Sequence, residues 1–181
     1  MLIKAENTAA IIVDVQEKLM PARFNEAEVE KNVNRLISGL KLLEVPMIVT
    51  QQYTKGIGMT IPSVMETIGE DFKYMDKSSF SIYGDEAIKE AVDALGKKVI
   101  LVCGTEAHVC VLQTCLELKE AGYEPVLVAD AAGSRHANDR EFGIQRAIQE
   151  GVRVTTYEAI LFELMRGATC PVFRQISKIV K

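Results

Sequence analysis

"VILVCGTEAHVCVLQT", residues 99–114, decides how this chain folds. Its first four residues are apolar with no polar alternation, which predicts a buried strand over Lys98–Cys103. After Gly104 the pattern changes. Apolar residues recur at helical spacing from Ala107 to Ala121, and Gly122 closes the run. A strand apolar on both faces that feeds a helix is the repeating unit of a parallel sheet covered on both sides.

The same alternation extends in both directions. Ala9–Val15 reads as a strand, and the helix Glu28–Leu43 follows with Val29, Val33, Leu36, Ile37, Leu40 and Leu43 on one face. Pro46–Gln51 is a second strand. Beyond the helix Asp85–Leu95 and the quoted stretch come a strand at Glu124–Ala129, a helix at Asp139–Glu150 and a short strand at Arg153–Thr155. Glu158–Met165 and Val172–Val180 read as terminal helices. Strand–helix alternation with right-handed crossovers predicts an α/β fold, a doubly wound parallel sheet with helices on both faces. Residues 1–181 are expected to form a single domain, since one core serves roughly 100–200 residues. The segment 53–80 is too long for an ordinary connection and reads as a site wall or lid.

Bulk properties exclude several classes of function. The net charge of -4 gives no reason to expect a nucleic-acid or anionic-membrane partner. No apolar run approaches the roughly 18 residues of a membrane span. The opening residues show no signal-peptide core, so a cytoplasmic location is expected. There the four cysteines, Cys103, Cys110, Cys115 and Cys170, stay free thiols.

Ligands of a doubly wound sheet sit beyond the carboxyl ends of the strands, where the strand order reverses. The first strand ends at Asp14–Val15–Gln16 and another runs into Gly104–Cys110, which puts Asp14 and this turn at one cleft. Thiolate zinc needs about four ligands. The cysteines form no CxxC pair and only His108 and His136 are present, so no metal is expected. A cysteine in the first helical turn is a better nucleophile, because the positive end of the macrodipole lowers its pKa. Cys110 has that position. Two residues away, His108 points elsewhere on a helix. Asp14 and a cation from the loop at Asp76–Lys77 fit the base and the charge partner better. A packing role for Cys110 stays open at this point.

Three ordered motifs, "IIVDVQ" (11–16), "DKSSFS" (76–81) and "CGTEAHVCVLQT" (103–114), resemble those of the isochorismatase-like cysteine hydrolases. That family includes nicotinamidases and N-carbamoylsarcosine amidases. The likeness covers roughly residues 8–165 and is nearest to the isochorismatase domain-containing proteins. It implies an Asp–Lys–Cys triad at Asp14, Lys77 and Cys110, and a cis, non-proline peptide at Thr105–Glu106 beside the oxyanion site. Backbone N–H groups of Glu106 and Cys110 would then hold the oxyanion. In one respect the chain departs from nicotinamidases. Where they carry an Asp-x-His metal cluster, it reads Thr50–Gln51–Gln52–Tyr53–Thr54–Lys55. No cofactor is expected, and the substrate is left open.

Gln16 is a candidate substrate contact or an orienting group for Asp14, with turn-capping as the alternative. Phe80 is a candidate pocket aromatic, with core packing as the alternative. Gln113 and Thr114 read as packing or interface residues, and Asp130, Ser134 and His136 as a turn and cap, with lining of the site as the alternative. The terminal apolar run from Ala159 to Val180 exceeds what one domain needs, so a homo-oligomer is expected. With Lys77 as the only assigned cation, the site suits a small neutral amide better than a dicarboxylate. The leading function is C–N bond hydrolysis on a small-molecule substrate. A vinyl-ether hydrolase of the isochorismate type and a non-catalytic binding module are the alternatives.

Overall fold

In the computed structural model, which describes residues 2–181, six strands form one parallel sheet. They are β1 (Thr8–Val13), β2 (Met47–Gln52), β3 (Met75–Lys77), β4 (Val99–Thr105), β5 (Glu124–Gly133) and β6 (Arg153–Thr155). Eight helices accompany them: α1 (Glu26–Leu42), α2 (Thr54–Ile57), α3 (Pro62–Ile68), α4 (Glu86–Ala94), α5 (Leu112–Glu120), α6 (Ala137–Gln149), α7 (Tyr157–Met165) and α8 (Phe173–Ile179). The strand order is β3-β2-β1-β4-β5-β6, and every neighbouring pair runs parallel. The order reverses between β1 and β4. A cleft opens beyond their carboxyl ends at such a reversal.

Strand residues divide between two cores by their period of two. Ala10 and Ile12 of β1, with Leu101 of β4, pack against α1, α3, α7 and α8. Ala9, Ile11 and Val13, with Ile100 and Val102, face α4, α5 and α6 on the opposite side. β1 is buried along its whole length, which explains why it reads as an unbroken apolar run. Each fully buried aliphatic side chain contributes about 1.5–3 kcal/mol of transfer free energy, so the two layers hold the central strands firmly.

Two expectations are corrected. Segment 53–80 is not one open loop: α2, α3 and the edge strand β3 lie within it. The helix expected from Ala107 begins as a wide π-type turn over Ala107–Val111 and becomes α-helical only from Leu112. Among the described residues no helix is long and apolar enough to cross a membrane.

Candidate active site

At the carboxyl end of β1 the chain leaves the sheet through Asp14, whose φ of 49° is left-handed. Aspartate is among the few residues besides glycine that tolerate this conformation. Both neighbouring strands hold it there. Its N–H donates to the Thr50 carbonyl of β2 (3.2 Å), and its carbonyl accepts from Thr105 Oγ1 of β4 (2.6 Å). Thr50 Oγ1 donates to Asp14 Oδ1 (2.8 Å), which fixes the carboxylate as well.

Lys77 ends β3, two strands away, and its side chain crosses the end of β2 to reach Asp14. The ammonium lies 2.8 Å from Asp14 Oδ2, and neither side chain is accessible to solvent. It also donates to Gln52 Oε1 (2.6 Å) and to the carbonyls of Ser79 (3.0 Å) and Phe80 (2.9 Å). Two charges out of water require this density of partners, because each carries a large desolvation cost.

Cys110 completes the cluster from the other side of the reversal point. It sits in the π-type turn after β4 and is 8% exposed. Its thiol lies near enough to the Asp14 carboxylate and the Lys77 ammonium to feel both charges. The peptide bond Thr105–Glu106 is cis. Gly104, with φ 114°, lets β4 come close to β1 just before this turn. A Cβ there would stand 2.0 Å from the Val13 carbonyl oxygen.

The electrostatics differ from what the helix dipole alone predicts. Burial and the nearby Asp14 charge push the Cys110 thiol up to about 12, against the opposing pull of Lys77 and the Glu106 N–H. Burial also raises the Asp14 carboxyl, offset in part by Lys77 and by hydrogen bonds from Thr50 and Cys110. Burial and the Asp14 charge thus oppose the thiolate that the helix position alone suggests, while Lys77 favours it. Cys103 and Cys115 are also held near 12 by burial, without a Lys77–Asp14 pair beside them.

The two substrate-contact candidates stand differently. Gln16 is fully buried, and its amide is committed to backbone. Nε2 donates to the carbonyls of Gln52 (3.1 Å) and Gly58 (2.7 Å), and Oε1 accepts from the Gln52 N–H (2.7 Å). It ties the 54–60 segment to the strand ends and leaves no polar atom for a substrate. Phe80 is 55% exposed, which excludes core packing, while its carbonyl helps to hold Lys77.

Sequence reasoning missed a second charged group on the β5 side of Cys110. Glu106, at the head of the Cys110 turn, pairs through Oε1 with the guanidinium of Arg23 and with Arg135 Nε (3.0 Å). Its Oε2 lies 3.6 Å from His108 Nδ1, which itself contacts Ser134 Oγ at 3.0 Å. Arg23 is buried although it lies in a loop between β1 and α1. Lys77 is thus not the only cation on the Cys110 side of the sheet. The one signal was a lone arginine inside "LMPARF", residues 19–24. Among the described residues, no three His, Cys, Asp or Glu side chains gather as a metal site would need.

A doubly wound sheet with this buried polar cluster at its reversal point defines an α/β protein of hydrolase-like fold. The isochorismatase domain model matches residues 8–159, and the chain belongs to that family. Isochorismatase domain-containing protein 2 of Danio rerio is 35% identical over 179 residues, covering 98% of this chain and 89% of that protein. The secreted isochorismatase effector Isc1 of Phytophthora sojae is 35% identical over 178 residues, covering 97% and 85%. Among solved structures, the MAR1 ribonuclease of Caenorhabditis elegans superposes with a TM-score of 0.93 at 34% identity, covering 99% of this chain and 92% of that one.

Proposed function

We propose that this protein is a cysteine hydrolase that cleaves a C–N bond of a small amide-type molecule. The observation that carries the reading is Asp14, whose carboxylate lies between the Lys77 ammonium and the Cys110 thiol in a water-excluded cluster. As Cys110 Sγ attacks the carbonyl carbon, Asp14 accepts the thiol proton, and Lys77 compensates the negative charge left at the sulfur. The backbone N–H groups of Glu106 and Cys110 are the oxyanion donors of this mechanism. Collapse of the tetrahedral intermediate breaks the C–N bond, with Asp14 returning its proton to the leaving amine. Water, deprotonated by Asp14, then hydrolyses the thioester and regenerates the thiol. Burial, which pushes the Cys110 thiol up, suits an order of events in which the proton leaves as the sulfur attacks.

A screen of aliphatic and aromatic amides, with ammonia release as readout and Cys110→Ala as blank, tests the reading. Hydrolysis by the wild type alone is expected. Equal turnover by Cys110→Ala, or consumption of isochorismate with the thiol dispensable, would replace it with vinyl-ether hydrolysis.

A second reading, RNA cleavage, draws support from the ribonuclease name of the Caenorhabditis elegans relative and from the two arginines at the cleft. Cleavage by attack of a 2′-hydroxyl needs no thiol, so that activity would persist in Cys110→Ala. An oligoribonucleotide substrate assayed beside the amides separates the two.

A further inference from the structure

Beside the Cys110 turn, one buried carboxylate is shared by two cations, one buried and one exposed. Two guanidiniums, Arg23 and Arg135, meet on one oxygen of one carboxylate, Glu106 Oε1. Arg23 is the telling member. Its side chain is 1% exposed and its Nη1 pairs with Glu106 Oε1, yet its Nε hydrogen has no acceptor. A buried donor left this way costs more than an ordinary hydrogen bond returns, and native structures rarely keep one without a use. Its partner Glu106 immediately precedes the π-type turn that carries Cys110, which places the Arg23 guanidinium on the Cys110 side of the sheet. Arg135 lies on the outer side with its side chain 63% exposed, so it reaches the same carboxylate from solvent. Glu106 holds the two arginines while its main chain opens the nucleophile turn. Its second oxygen, Oε2, is turned toward His108 rather than toward them.

We infer that Arg23 and Arg135, braced by Glu106, form an anion subsite beside Cys110 that receives a carboxylate carried by the substrate. Resting on the amidase reading above, this narrows the substrate to a small amide bearing an acid group. Guanidinium forks match carboxylates in geometry, and one carboxylate against two forks leaves a net positive charge for a second. The site thereby reverses the preference for a neutral amide that Lys77 alone suggested.

The test uses three acid amides, oxamate, malonamate and succinamate, each paired with the neutral amide in which a methyl ketone replaces the carboxylate. Wild-type protein is expected to favour at least one acid over its neutral partner by about tenfold or more in kcat/KM, the scale of one charge-assisted hydrogen bond. In Arg135→Gln that ratio is expected to collapse, chiefly through KM for the acid. Arg23→Lys, which keeps the charge but loses the fork, should lower it as well. If Arg23→Lys fails to fold, the exposed Arg135 still carries the test. Neutral amides hydrolysed as well as their acid partners, or ratios unchanged in Arg135→Gln, would overturn the subsite and leave the amidase reading standing.

If no amide is turned over, titration calorimetry of Cys110→Ala with succinamate still decides. Binding that weakens with salt and with Arg135→Gln supports the subsite, and absence of binding overturns it. Salt-sensitive binding of a single-stranded oligoribonucleotide instead, lost in Arg135→Gln, would assign the same cations to a phosphodiester and overturn the carboxylate assignment.

Discussion

With both side chains sealed from solvent, Lys77 and Asp14 each depend on the other for their charge. Breaking a buried pair from one side leaves an uncompensated ion and costs about 3–5 kcal/mol. Lys77→Met is therefore expected to destabilise by that amount in urea denaturation. The double variant Asp14→Asn, Lys77→Met should lose clearly less than the sum of the two single changes, and strict additivity would show that the pair is not coupled. The same burial sets the pH dependence. Asp14 accepts a proton only when ionised, and burial raises its carboxyl above the ordinary 3.8. Activity should thus fall on acidification at a higher pH than a free aspartate would give. On the alkaline side the Cys110 thiol, held near 12, contributes no rise in kcat/KM around 9, the ordinary thiol value. A rising limb there would mean that a free thiolate starts the reaction.

Close approach of backbones governs the elements that carry the site. Gly104→Ala would force a non-glycine residue to a φ of 114° and press its Cβ against the Val13 carbonyl. It should cost about 3 kcal/mol or more in denaturant unfolding. Gly143 of α6 abuts the nucleophile turn, where a Cβ would stand 2.7 Å from His108 Cα. Alanine usually gains about 1 kcal/mol over glycine in a helix. Here that gain is opposed by backbone contact, so Gly143→Ala should lower kcat by shifting the turn that holds Cys110, with a smaller fall in Tm. Unchanged kcat would mean that α6 yields freely. The long elements were legible because each carries a periodicity: β1, β4 and α1 appear within two residues of their expected bounds. β3 was not. Its three residues, Met75–Lys77, are too few to show a strand period, and two of them are polar. Arg23 escaped for a related reason, since a loop has no period against which a buried charge stands out. Asp14, Lys77 and Cys110 were placed through three motifs with fitting separations, which no local pattern supplies.

At the scale of the whole molecule, the surface decides how copies of the chain associate. The terminal helices, whose apolar excess suggested an interface, spend most of it on their own core. Ile160, Leu161, Leu164, Met165 and Ile176 are buried with α1, and only Phe162 remains 38% exposed. The unspent apolar surface lies elsewhere. On α6, Phe142 is 66% and Ile148 55% exposed, and Phe24, also 66% exposed, borders a groove that runs along the same helix past Arg140 and Ile144. Phe142 stands about 120° round the helix from Ile148 and lies off the groove; a contiguous apolar patch marks an association surface more often than scattered single residues do. Self-association through α6 is expected, with a dimer as the smallest unit. Phe142→Glu would place a charge on the exposed surface of α6, where burial in an interface without a partner is costly. Light scattering should give a multiple of the 20.0 kDa chain mass for the wild type and a lower mass for Phe142→Glu, with the far-ultraviolet circular dichroism unchanged. A wild-type mass of one chain at all concentrations would refute association. An unchanged assembly in Phe142→Glu would move the interface away from α6, toward the exposed side chains of Tyr53 and Phe80.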